Sequence, residues 1–279
     1  MNILFFLWYK VFMNLLVNHV FGDKHIFAPF HKLYLDSMVK VQNCKKLLIV
    51  QDVNEDNIQK LYEYYDYIDV VENPSTGYFL EHNLDLTTFK SVEKKSKDFD
   101  FVFFSDSFDV VFQSNPFDFF SQYEENLFLT SPGFKVKEQW PDRNWHEYFN
   151  KTLRVPESFL EDKVLNGAFV AGKTQNFLDF LVFLITNQNR NGRHVVDQTV
   201  FCYYYSMMKD RGTVKILDSQ EDNFIYHAQN DRFFGNEEKP TVIDGKIYTK
   251  RNELYCIWHQ WDDIGYTAKL DENGMGYLV

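Results

Sequence analysis

The sequence predicts an α/β protein built on a mostly parallel β-sheet flanked by helices, and three observations carry that expectation. Apolar runs without clean polar alternation, at Ile3 to Trp8, Leu47 to Val50, Ile68 to Val71 and Phe99 to Phe104, have the character of strands covered on both faces. Amphipathic stretches of helix length separate these runs. The resulting order over the first 105 residues, strand and helix in strict alternation, is the one that right-handed βαβ crossovers produce.

Each element has its own signal. Asn2 to Tyr9 reads as a buried first strand. The apolar stretch Asn2 to Val17 also resembles a signal or anchor, but Lys10, Asn14 and Asn18 interrupt it and no basic segment precedes it. A membrane-spanning helix would need about 20 mostly apolar residues, so none is expected. Pro29 to Val41 places Phe30, Leu33, Leu35 and Met38 near helical spacing, and Asn54 to Tyr65 has Asn54 as an N-cap. Leu84 to Lys97 is the third helix. Beyond the fourth strand, Asn115-Pro116 ends a turn, Phe117 to Tyr123 reads as a short helix, and Leu127 to Thr130 as a strand. Residues 131–163 look like loop. Leu165 to Ala171 reads as a strand, with helices over Asn176 to Ile185 and Val196 to Met208, and the last seventy residues read as short strands and turns. Phe117 to Phe120 and Tyr203 to Tyr205 are spaced as core residues of helices.

The formal net charge of −11 excludes a nucleic-acid binder working by bulk charge. With 45% hydrophobic and 18% aromatic residues, global disorder is excluded too. No linker-like tract divides the 279 residues, so one domain is expected. Cys44, Cys202 and Cys256 form no paired motif, and the expected compartment is reducing and cytoplasmic.

In open sheets of this kind ligands bind beyond the carboxyl ends of the strands. The fourth strand is followed there by Ser105-Asp106-Ser107-Phe108-Asp109. Asp106 and Asp109 converge only if the chain turns after the first of them, because a strand sends i and i+2 to the same side. Two carboxylates at a crevice suit Mg²⁺ or Mn²⁺ shared with phosphate oxygens. The alternative is a turn whose Asp side chains cap backbone N–H groups. An acidic chain cannot readily admit a diphosphate unless a cation bridges the charges. A haloacid-dehalogenase phosphatase also pairs Asp at a strand end, but at a separation of two rather than three.

The stretch Phe103 to Phe112, centred on Asp106 and Asp109, resembles the Asp-Ser-Tyr-Asp-Val motif of the glycosyltransferase domain of procollagen-lysine hydroxylases and related collagen glycosyltransferases. Further matches follow in the same order. Trp140-Pro141-Asp142-Arg143 resembles that family's Trp-Pro-Asp-Lys/Arg loop, Leu165 to Gly172 its Leu-Asn-Ser-Gly-Gly-Phe-Ile-Gly segment, and Asp197-Gln198 the end of its acidic run. Ile225 to Asn230 resembles an Ile-Phe-Gln-Asn element, and His259 falls at the family's metal histidine. The chain departs from that pattern after Asn166, before Asp197, and after His259, which is followed by Gln260, Trp261 and Asp262.

The resemblance implies the GT-A architecture, with a nucleotide-binding half over 1–112 and a sugar- and acceptor-binding half over 113–279, and an enzyme that uses Mn²⁺, or Mg²⁺, to move a sugar from a UDP-sugar to a hydroxyl acceptor such as hydroxylysine or a glycan. Asp106, Asp109 and His259 are then the metal ligands, with Asp106 also at the cofactor and His227 a rival to His259. Asn166 and Asp197 would fix sugar hydroxyls, although an Asx turn and a helix N-terminus account for them equally. Trp140 would stack on a sugar, and Asp142 or Asp197 would act as general base in an inverting reaction. Tyr9 and Lys10, at the end of the first strand, would meet uracil and diphosphate. Lys90 is a second phosphate candidate, or a solvated helix face. Two other classes remain open: a nucleotide- or sugar-binding protein without activity, and a metal-dependent phosphohydrolase or nucleotidyltransferase.

Overall fold

In a computed structural model, residues 13–72, 80–139, 157–190, 193–194, 197–228, 240–261 and 265–279 are described. The chain opens the sheet with β1 (Asn14–Phe21) and continues through α1 (Pro29–Ser37), β2 (Cys44–Gln51), α2 (Glu55–Leu61), β3 (Tyr67–Val70) and α3 (Leu80–Lys95) to β4 (Phe101–Ser105). The alternation expected from the apolar runs is therefore present. Asn54 caps α2 as expected, its side chain accepting a hydrogen bond from the Asn57 N–H.

One boundary differs. Asn2 to Tyr9 lies outside the described residues, and the strand that opens the described sheet is Asn14–Phe21. Asn18 and His19 hid it by interrupting the apolar run. Both find a partner inside: the Asn18 amide nitrogen donates to the Ser105 carbonyl at 2.8 Å, and His19 Nε2 lies 2.6 Å from Thr88 Oγ1.

After β4 come β5 (Val110–Phe112), α4 (Pro116–Phe120), β6 (Leu127–Ser131), α5 (Val136–Gln139), β7 (Asn166–Lys173) and α6 (Thr174–Gln188). A two-residue ribbon, β8 (Asn189–Arg190) and β9 (Arg193–His194), precedes α7 (Asp197–Met208) and β10 (Val214–Asp218). The main sheet has the order β10-β6-β7-β4-β1-β2-β3. β7 alone runs antiparallel to its neighbours in it.

Both faces of this sheet are covered, which explains the unbroken apolar runs. Leu15, Val17, Leu47, Ile49 and Val102 face α3, α6 and α7, while Leu16, Val20, Leu48, Val50 and Phe103 face α1, α2 and α4. Phe117 and Phe120 are buried in the second layer, and Tyr203 to Tyr205 pack against the first, as their spacing predicted. Among the described residues no helix is long and apolar enough to cross a membrane.

The last part of the chain adds β11 (Ile225–His227), the ribbon β12 (Thr241–Ile243) and β13 (Lys246–Tyr248), β14 (Ile257–His259), and a hairpin of β15 (Ala268–Leu270) and β16 (Gly276–Leu278). β11, β14 and β5 form a second, three-stranded sheet. The hairpin seats on α1, where the Gly276 N–H donates to Asp36 at 2.8 Å. A Cβ on Gly276 would meet the Leu33 backbone at 2.5 Å, too close without movement. Gly276→Ala is expected to lift the hairpin and cost about 1–3 kcal/mol. A thermal melt within error of wild type would contradict that packing.

A pH dependence is built into the layer beneath α1. His31 is wholly buried, and burial pushes its imidazole from 6.5 down to about 4. Below pH 6.5 the unfolded chain binds a proton that the native chain refuses, so stability falls as pH drops from 6.5 toward 4. The full loss for this one group is on the order of 3 kcal/mol. Denaturant midpoints across that range should fall less steeply in His31→Gln, and identical slopes would contradict the assignment.

Candidate metal centre

The turn after β4 is fastened at three points. Asn18 of β1 holds the Ser105 carbonyl, the Asp106 N–H donates to the Ala168 carbonyl of β7 at 2.9 Å, and Ser107 Oγ donates to the His19 carbonyl at 2.5 Å. Phe108 turns toward α1, 4.9 Å from the His31 ring and 5.8 Å from Phe30. Anchoring Ser107 and Phe108 in this way leaves Asp106 and Asp109 on the wall of a shared crevice.

His259 arrives from 150 residues later by strand pairing. β14 pairs antiparallel with β5 so that His259 lies opposite Val110, and the Gln260 N–H donates to the Asp109 carbonyl at 2.8 Å. Gln260 adopts a left-handed backbone, φ 57°, which ends the strand just after the histidine. One ligand atom from each of Asp106, Asp109 and His259 can be chosen so that all lie within 4.8 Å of one another. His259 Nε2 stands 3.5 Å from Asp109 Oδ1. Burial by itself would raise the Asp109 carboxyl, but the attraction and hydrogen bond of His259 outweigh it and hold the group below its ordinary value.

His227, the sequence's rival for the ligand position, sits behind His259. β11 and β14 run parallel with these two residues in register, and their Nδ1 atoms are 2.8 Å apart. Burial, reinforced by His259, drives the His227 imidazole far below its ordinary value and keeps it neutral. Both rings meet Phe169 in T-shaped contacts, His259 at a centroid separation of 5.0 Å.

The crevice occupies about 870 Å³ at the carboxyl ends of β1 and β4, the point where the strand order reverses. That is ample for a small-molecule ligand. Among the described residues lining it are three carboxylates, from Asp85, Asp106 and Asp109, and neither lysine nor arginine. Aromatic walls come from Phe21, Phe30, Phe108, Trp261 and Tyr266. Comparison with protein-family models gives no match for this chain, and no curated protein is significantly similar to it. The chemistry of the site is therefore carried by its own side chains. Two carboxylates and one imidazole are a donor set that could hold a divalent metal ion.

The other expected residues separate into three groups. Asn166 lines the crevice at the start of β7, and its side-chain oxygen accepts from the Ala168 N–H at 2.8 Å, the Asx turn that the sequence also allowed. Asp197 begins α7, and its neighbour Gln198 lines the crevice. Lys90 is not at the crevice. It is exposed, lines a separate groove between β3 and α3, and lies 3.9 Å from Glu72, because the crevice side of α3 is formed by Leu84, Asp85 and Thr88. Tyr9, Lys10, Trp140 and Asp142 lie outside the described residues, and the carboxyl end of β1 is formed by His19 to Phe21. Sequence reasoning missed His19, Asp85 and Thr88. The signal for His19 was a polar pair inside an otherwise apolar strand, whereas Asp85 and Thr88 carried none.

Proposed function

We propose that the chain is a metal-dependent glycosyltransferase of the GT-A type, moving a sugar from a UDP-sugar to a hydroxyl-bearing acceptor. The observation that carries this reading is the cluster of Asp106, Asp109 and His259 at the strand ends, facing a crevice large enough for a nucleotide-sugar. The order of short motifs that resembles collagen glycosyltransferases supports it. So does the acidity of the described lining, on which an anionic diphosphate would need a cation.

In this reading the three side chains hold Mn²⁺, with Mg²⁺ as the alternative. The bound ion supplies Lewis-acid stabilisation of the departing diphosphate. The chain's own groups do the rest. Phe21, 41% exposed at the end of β1, offers a face to a nucleobase. Asn166 has its oxygen committed to the backbone, so its amide nitrogen is the group it offers a sugar hydroxyl. Trp261 and Tyr266 wall the crevice on the side of the C-terminal hairpin and limit water there. Asp197, at the α7 N-terminus, and Asp142 are the carboxylates proposed to receive the acceptor proton.

Calorimetry with UDP in the presence and absence of Mn²⁺ tests the reading, followed by transfer assays from a panel of UDP-sugars to hydroxylysine peptides, lipid-linked sugars and glycans. UDP binding that requires Mn²⁺, together with transfer to one acceptor class, is expected. Metal-independent binding without transfer would favour a non-catalytic binding protein. Nucleotide cleavage without sugar transfer would favour a phosphohydrolase.

A further inference from the structure

Two buried imidazoles that meet through their Nδ1 atoms at 2.8 Å must share one proton between those atoms. With none there, two lone pairs oppose each other, and with two, a pair of N–H groups does. The proton's position decides what His259 can do. If it sits on His227 Nδ1, His259 accepts at Nδ1 and carries its own proton on Nε2, the atom facing Asp109 Oδ1 at 3.5 Å. If it sits on His259 Nδ1 and the pair is neutral, the His259 Nε2 lone pair is free, His227 accepts, and the His227 proton is on Nε2.

We propose that His227 is a positioning residue that sets the tautomer of His259 when metal binds, by supplying the acceptor for the Nδ1–H form whose Nε2 can ligate a metal. The inference rests on the metal-centre reading above. Binding exchanges one tautomer of the pair for the other, and the number of protons on the pair does not change. Rotation of the rings is opposed on both sides. The parallel register of β11 with β14 fixes the two backbones, His227 and His259 are 1% and 2% exposed, and Phe169 closes on both rings. A second-layer acceptor that orients a metal histidine typically accounts for a 10–100-fold difference in metal affinity.

The test uses the full chain and metal alone. Mn²⁺ affinity is measured by calorimetry for wild type, Asp109→Asn, His227→Phe and His227→Gln. His227→Phe, which fills the space but accepts no hydrogen bond, is expected to weaken binding 10–100-fold. His227→Gln, whose amide oxygen can accept from His259 Nδ1, should recover most of it. Nitrogen-15 spectra of histidine-labelled wild type loaded with diamagnetic Zn²⁺ should show His259 protonated at Nδ1 and His227 at Nε2, with both assignments reversed in the metal-free protein. Wild-type affinity in a folded His227→Phe, or loaded His259 protonated at Nε2, overturns the proposal while leaving the metal centre standing. If wild type binds no metal, or Asp109→Asn binds as tightly as wild type, the metal centre itself fails. Should His227→Phe not fold, the wild-type spectra and His227→Gln decide.

Discussion

Asp109→Asn is expected to remove divalent-cation binding at the crevice and to lower any cation-dependent activity on the order of a thousand-fold. The substitution keeps the shape of the side chain and deletes its charge. Because His259 outweighs the desolvation penalty, that charge is favoured in the fold, and in the metal-free protein its loss also removes a stabilising partner of a buried imidazole. Metal affinity should therefore collapse, and the melting temperature of the metal-free protein should fall as well. Asp106→Asn should lose the metal in the same way with the turn intact, because the Asp106 backbone is pinned to Ala168 whatever the side chain carries. Calorimetric titration with Mn²⁺ checks both, and unchanged affinity in either variant would remove that residue from the centre.

Phe169→Ala is expected to cost about 3–5 kcal/mol in denaturant unfolding. The ring is fully buried on β7, stacked 6.2 Å from Phe103 of β4, and makes T-shaped contacts with His259 and His227. Removing it opens a cavity beneath the second sheet at the place where the histidine pair is held. A loss below about 1 kcal/mol would show that the layer can collapse around the gap. Phe169→Leu keeps most of the volume and should cost less, yet still loosen both imidazoles, so its effect on metal affinity is expected to exceed its share of the stability loss.

Much of this architecture was legible in single stretches of sequence because burial on both faces leaves a local mark. Leu47 to Val50 could be read as a doubly covered strand from four consecutive residues, and Asn54 as a cap from its place before Ile58 and Leu61. Polar side chains inside elements were where that reading failed. Asn18 and His19 disguised β1 because their partners, Ser105 and Thr88, lie more than sixty residues away. Lys90 was placed at the ligand because one helix face cannot be told from its opposite until neighbours are assigned. Asp85, on the crevice side of the same helix, was invisible for the same reason.

The residue string by itself determined the order of strands and helices, the acidic balance, and the two aspartates that follow a buried strand. It did so because hydrophobic periodicity and turn chemistry act over a few residues at a time. Only the tertiary structure decided that Asp109 meets His259 and that His227 stands behind it. Those contacts depend on the register in which β11, β14 and β5 pair, and that register is set by the packing of two sheets on one core rather than by any local preference of the chain.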